Sequence, residues 1–181
     1  MLAKDLVISL LKGAQKPIEG RTAFQKLAYF SCQRLGADFH FRPHYYGPFS
    51  DVVAQTLFDL VSMGYVEEKE IVTGLDRTMF TYQLTSDGTA LARRIQQQNS
   101  DEFKQIKAVV NDCENIVGND YEALSWAAKV FFLLNRENKE ISYKHVREEG
   151  ERLGWKLDNV QVDKGVSLLE GLHLAQASRS G

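Results

Sequence analysis

The chain predicts a mainly α-helical protein with one small β-hairpin, and three observations carry that prediction. Apolar residues recur at helical spacing in most segments, as in Val53, Leu57, Leu60 and Val61. Two strand-like runs, 65–72 and 79–84, flank a turn-like stretch at 73–77. The segment His44-Tyr45-Tyr46-Gly47-Pro48-Phe49-Ser50 joins an aromatic run to a helical one. Gly47-Pro48 breaks both periodicities, and Ser50 is placed to cap the helix that follows. Taken in order, these elements predict a winged helix-turn-helix followed by a C-terminal helical region.

The first helix carries Leu2, Leu6, Ile8, Leu10 and Leu11 and stops near Gly13 and Pro17. The second runs from about Thr22 to Leu35. One face carries Phe24, Leu27, Ala28, Ser31 and Leu35, another carries Gln25, Tyr29 and Gln33, and Gly36 stands at the C-terminal cap. Phe39, Phe41 and Tyr45 alternate with His40, Arg42 and His44. This predicts a short strand, and Pro43 confines it to a sheet edge. The third helix spans 52–63 and ends at Gly64. After the hairpin, Thr85-Ser86-Asp87-Gly88 opens a fourth helix through Ile95. Residues 1–98 therefore read as the winged-helix domain.

Polar residues 96–101 predict a hinge, and residues 99–181 a helical region for packing or dimerisation. Phe103, Ile106, Val110, Cys113 and Val117 share one helical face. So do Leu124, Ala128, Phe131 and Leu134. A weaker pattern runs from Ser142 to Leu153. The last helix opens with Asp158 and Gln161 at capping-box spacing and presents Val162, Val166, Leu169 and Leu172. Such stripes need a partner surface. They pack on one another or on a second chain, and a homodimer built on them is the expectation.

Composition narrows the function. The 181 residues carry a formal charge of −2, so a broad nucleic-acid footprint, which makes a domain basic, is disfavoured. No apolar run approaches the ~20 residues of a membrane span. Asp5 and Lys12 interrupt any signal-peptide layout. The two cysteines, Cys32 and Cys113, fall within helical patterns, as in a reducing cytoplasm. No phosphate loop, nucleophile elbow or zinc spacing is present, so no catalytic residue, no metal and no cofactor is expected. Cys32, His40 and His44 are the one mixed cysteine–histidine group, too irregular for a zinc ligand set. Glu67, Glu68 and Glu70 suit the solvent side of an edge hairpin.

Two partner classes remain. A winged helix suggests DNA, yet 50–63 contains no Lys or Arg and carries Asp51 and Asp59. Phosphates would have to be gripped by Arg21, Lys26, Arg42 and Arg77, with Gln55 bonding a base edge. Against this stands a protein partner met through His44, Tyr45, Tyr46 and Phe49, since exposed aromatics anchor interfaces.

Residues 20–30, Gly20-Arg21-Thr22-Ala23-Phe24-Gln25-Lys26-Leu27-Ala28-Tyr29-Phe30, and 44–50 together resemble the YwgA-like bacterial and archaeal proteins. They are more distantly similar to the Panacea domain of SocA-like antitoxins. In both, a Gln-Lys-Leu helix precedes a strand and a Tyr-Gly-Pro turn. The resemblance spans residues 18–66 and implies a winged-helix regulatory or adaptor protein. It implies structural roles for Lys26, reaching the Tyr46-Gly47 turn, and for Arg21, bridging carboxylates. The expectation is thus a non-enzymatic winged-helix regulator that binds DNA, with an antitoxin-like or adaptor module binding protein as the alternative.

Overall fold

The computed structural model describes residues 1–73, 77–117, 121–137 and 142–175. The side chains of Thr73, Arg77 and Glu137 lie outside that description, as does the tip of the predicted wing at 74–76. Among the described residues the protein is mainly helical with one three-stranded antiparallel sheet. It forms two compact units. One comprises Met1–Phe41 and Ser50–Asn111, the other Arg42–Phe49 and Asp112–Gly181.

The first unit contains α1 (Ala3–Gly13), β1 (Ile18–Glu19), α2 (Arg21–Leu35), α3 (Asp51–Ser62), β2 (Val66–Thr73), β3 (Arg77–Leu84) and α4 (Ser86–Gln98). It also holds most of α5 (Ser100–Val117). α1 is its central element: Leu6, Val7, Ile8 and Leu10 are fully buried, and α3, α4 and the sheet pack around it. Burying four such side chains contributes on the order of 6–12 kcal/mol of transfer free energy before entropy is counted. α2 is buried on nearly every side from Ala23 to Cys32, so Gln25 and Tyr29, read as a second face, also lie inside.

β3 is central, with β2 on one side and β1 on the other; Ile18 pairs with Tyr82 and Glu19 with Thr81. This corrects the strand predicted at 39–46. That segment forms only an isolated bridge, Arg42 to Phe49, and the third strand lies before α2 instead. Pro43 and Pro48 lack the N–H groups that a ladder needs. Two-residue β1 is too short to show a period of two in the sequence.

The third helix forms as its cap and spacing dictate. Ser50 Oγ accepts from Val53 N–H at 3.2 Å, and Val53, Leu57 and Leu60 are buried. Gly64 at φ +77° turns the chain so that Tyr65 N–H reaches Leu60 O at 3.0 Å. The predicted hinge at 96–101 is a single-residue break at Asn99, between α4 and α5.

The second unit holds the end of α5, then α6 (Tyr121–Glu137), α7 (Tyr143–Arg152) and α8 (Asn159–Gly171). Asp158 and Gln161 form the capping box reciprocally. α6 and α8 pack closely because Gly165 lets α8 approach the backbone of Trp126 and Ala127. A Cβ at Gly165 would meet them at 3.2 and 3.3 Å. Leu124, Ala128, Phe131, Val162, Leu169 and Leu172 are buried in the single chain, while Leu134 is half-buried. Most of the apolar stripe that motivated a homodimer is therefore covered without a second copy. No helix among the described residues is long and apolar enough to cross a membrane.

Candidate functional site

The loop from Arg42 to Phe49 belongs to the second unit although it lies between α2 and α3 in sequence. Its ends are pinned by two backbone bonds of 2.9 Å: Arg42 N–H donates to Phe49 O, and Phe49 N–H to Arg42 O. Gly47 N–H donates to His44 O at 2.9 Å and closes a β-turn around Tyr45 and Tyr46. Gly47 takes φ +101°, a conformation open to glycine and strained for other residues.

Two side chains of the helical region hold this turn from its carbonyls. Trp155 Nε1–H donates to His44 O at 2.7 Å, and Ser125 Oγ–H donates to Tyr46 O at 2.6 Å. Trp155 is 1% exposed and packs edge-on against Phe132 with centroids 5.7 Å apart. Lys129 lies over the same indole at 5.8 Å, and burial holds its ammonium below the usual lysine range. Ser125, Lys129 and Phe132 recur at i, i+4 and i+7, so one face of α6 provides this support.

What the turn presents is aromatic. Tyr45 is 73% exposed and Tyr46 54%, their rings perpendicular at 4.8 Å between centroids. His44 is exposed, and its ring lies 5.2 Å from that of half-buried Phe49. Of the four predicted partner residues, three are therefore at the surface and Phe49 is partly inward.

The predicted phosphate-gripping residues are placed differently. Lys26 is 1% exposed within α2, so its ammonium is not offered to an outside phosphate. An amphipathic stripe cannot reveal this, because a lysine flanked by apolar residues reads as a snorkelling surface residue. Arg21 is exposed but engaged. Its Nε donates to Tyr82 OH at 3.0 Å, its Nη2 lies 3.5 Å from Glu68 Oε2, and its guanidinium sits 4.4 Å over the Phe80 ring. The hydrogen bond to Tyr82 raises its pKa further above the usual arginine value, with Glu68 adding to the effect. Arg42 is exposed, its guanidinium 5.8 Å from the Phe49 ring centroid. Gln55 is exposed on α3, where Nε2 donates to Asp59 Oδ1 at 2.8 Å. Arg77 opens β3.

Ser125 and Trp155 escaped the sequence reading. A serine inside an apolar helical pattern and a tryptophan in a connection carry no local signal of a contact with residues 79 and 111 positions away. Gln25 was missed with Lys26: only once α2 is seen to be buried from Ala23 to Cys32 does its glutamine require a polar partner.

Burial pushes the Cys32 thiol up to about 12 and the Cys113 thiol upward as well, so neither is a ready thiolate. Among the described residues no three His, Cys, Asp or Glu side chains are grouped as metal ligands would be. Comparison with family models and with curated proteins returned no match to this chain.

Proposed function

We propose that this protein is a non-enzymatic winged-helix adaptor that binds a protein partner through Tyr45 and Tyr46. The winged-helix assignment rests on the order α1, β1, α2, α3, β2, β3, with β3 between β1 and β2. The resemblance of 20–30 and 44–50 to YwgA-like and Panacea-type proteins agrees with a regulatory or adaptor role, antitoxin-like binding included. One observation carries the choice of partner. The turn holding the two tyrosines is clamped at both ends and at two carbonyls while the rings stand in solvent. A pre-ordered aromatic pair gives up little conformational entropy on binding, which is what an interface anchor requires.

Duplex DNA is the second reading, supported by the fold and by exposed Arg42 and Gln55. It is weakened by the burial of Lys26, the engagement of Arg21, and an α3 without a cation. The test compares partners recovered by quantitative affinity purification with wild type, the Tyr45→Ala/Tyr46→Ala variant and Arg42→Ala. The adaptor reading expects a partner lost roughly 30-fold with the tyrosines, the equivalent of ~2 kcal/mol for an aromatic anchor, and retained with Arg42→Ala. Identical recovery from all three would overturn it. Tight duplex binding with a steep salt dependence lost in Arg42→Ala would establish the DNA reading instead.

A further inference from the structure

The first unit has exposed apolar side chains of its own. Five of the eleven exposed large apolar side chains among the described residues fall between 52 and 72: Val52, Phe58, Met63, Ile71 and Val72. Isolated exposed apolar residues are ordinary, but Val52, Phe58 and Met63 along one side of α3 are not; Ile71 and Val72 are neighbours on β2 and point to opposite faces of the sheet, so at most one of them joins that side. Along α3 and its C-cap residue Met63, the exposed positions Asp51, Val52, Gln55, Phe58, Ser62 and Met63 fall within one arc of roughly 140° at 3.6 residues per turn. Phe58 is 64% exposed and Met63 69%, so neither contributes to the core that Val53, Leu57 and Leu60 build on the opposite side.

Charge specifies what can cover this face. α3 carries two carboxylates, Asp51 and Asp59, and no cation, and β2 adds Glu67, Glu68 and Glu70 against Lys69, with Arg21 reaching Glu68 at 3.5 Å. With Lys69 and Arg21 both counted, the balance is −3 in a chain whose total is −2. A hydrogen bond from Gln83 and the Lys69 ammonium keep the Glu67 carboxyl below its usual pKa, so it is charged at neutral pH. A nucleic-acid backbone is repelled by such a surface. A second copy of the same face is repelled likewise.

We infer that the exposed face of α3, with the adjoining strand β2, is a docking surface for a lysine- or arginine-rich amphipathic helix of a partner protein. The apolar side of such a helix covers Phe58 and Met63, and its cations face Asp51, Asp59 and the β2 carboxylates. This inference does not depend on the tyrosine turn, which lies in the other unit.

The test uses the full chain, isotopically labelled and followed by amide NMR. The probes are two amphipathic peptides of about five helical turns. They share one leucine face, and the opposite face is all lysine in one and all glutamate in the other. The lysine peptide should shift amides between 51 and 72, and the glutamate peptide should shift none. Phe58→Ser should weaken the lysine peptide about tenfold or more, as loss of an aromatic anchor does. Asp51→Asn/Asp59→Asn should weaken it and flatten its salt dependence. Tyr45→Ala/Tyr46→Ala should leave its affinity unchanged, which separates this surface from the proposed tyrosine site. No binding of the lysine peptide at millimolar concentration overturns the inference. So do shifts lying outside 51–72, or an affinity indifferent to Phe58→Ser.

Discussion

Gln25 and Ser50 hold each other in both directions. Ser50 N–H donates to Gln25 Oε1 at 2.9 Å, and Gln25 Nε2 donates to Ser50 O at 3.1 Å. Both residues are buried, and Ser50 Oγ also donates to Phe39 O while capping α3 through Val53 N–H. Every polar group of the cap residue thus has a partner, in a place where an unsatisfied one is costly. The glutamine of α2 in this way fixes where α3 begins, and with it the exposed face that α3 presents.

Gln25→Leu keeps the volume and removes both bonds, leaving Ser50 N–H and one acceptor site on Ser50 O buried without Gln25. The expected loss is about 1–3 kcal/mol of unfolding free energy. Ser50→Ala removes the cap and should cost about 0.5–2 kcal/mol. Ser50→Ala leaves the backbone N–H and C=O that Gln25 holds, so coupling between the two variants runs through the position of the Ser50 backbone; the double variant should cost less than the sum of the two, measurable by urea denaturation as a double-mutant cycle. Strict additivity would show that the Ser50 cap and the Gln25 bonds hold the backbone independently.

The α3 cap, the Asp158 box and the hairpin arms were legible in the sequence because each is local. A cap reads three residues ahead, and a strand alternates along itself. The placement of the third strand was not, because Ile18 and Glu19 become a strand only through pairing with Tyr82 and Thr81 more than 60 positions away. The same reason hid the support of the tyrosine turn, where donors come from α6 and from Trp155. Burial of Lys26 escaped for a different reason: helical periodicity marks one face, and α2 has none exposed between Ala23 and Cys32.

Tyr82 should make the fold sensitive to alkali. Burial, with help from a hydrogen bond to Glu68, pushes its phenol up to about 12, while Arg21 opposes the shift. The folded state therefore holds the proton longer than the unfolded chain, whose tyrosines titrate near ~10. The contribution is complete below pH ~10 and is lost as pH rises toward 12, at up to about 1.4 kcal/mol per unit inside that window. Denaturant titrations at stepped pH should show wild type losing stability faster than Tyr82→Phe between those values. Parallel curves would reject this assignment.

Gly88→Ala should be among the most damaging single-methyl additions. A Cβ there would lie 2.0 Å from Tyr65 O, a backbone atom that also accepts from Thr85 N–H and so cannot swing away. Overpacking against a side chain costs about 1–3 kcal/mol, and backbone contact places this change at or above the top of that range. Gly165→Ala meets Val130 and the α6 backbone at 3.1 to 3.3 Å and should cost less, since α8 can shift by a few tenths of an ångström. A thermal melt of each variant ranks them, and the reverse order would contradict the geometry.

The clamp on the tyrosine turn can be loosened without touching the rings it presents. Ser125→Ala removes the donor to Tyr46 O and leaves little cavity, so the global cost should be about 1 kcal/mol. Trp155→Phe removes the donor to His44 O and part of a buried indole, and about 2–3 kcal/mol is expected from the two effects together. Local consequences separate clamp from core. The amide of Gly47, bonded to His44 O, should exchange faster in both variants, whereas amides at the α6–α8 contact around Ala127 and Gly165 should change only in Trp155→Phe. If the clamp pre-orders the tyrosines, Ser125→Ala also weakens the partner while Tyr45 and Tyr46 stay intact, because the turn must then be ordered on binding. Unchanged Gly47 exchange with unchanged partner affinity would mean that the backbone pair at Arg42 and Phe49 holds the turn by itself.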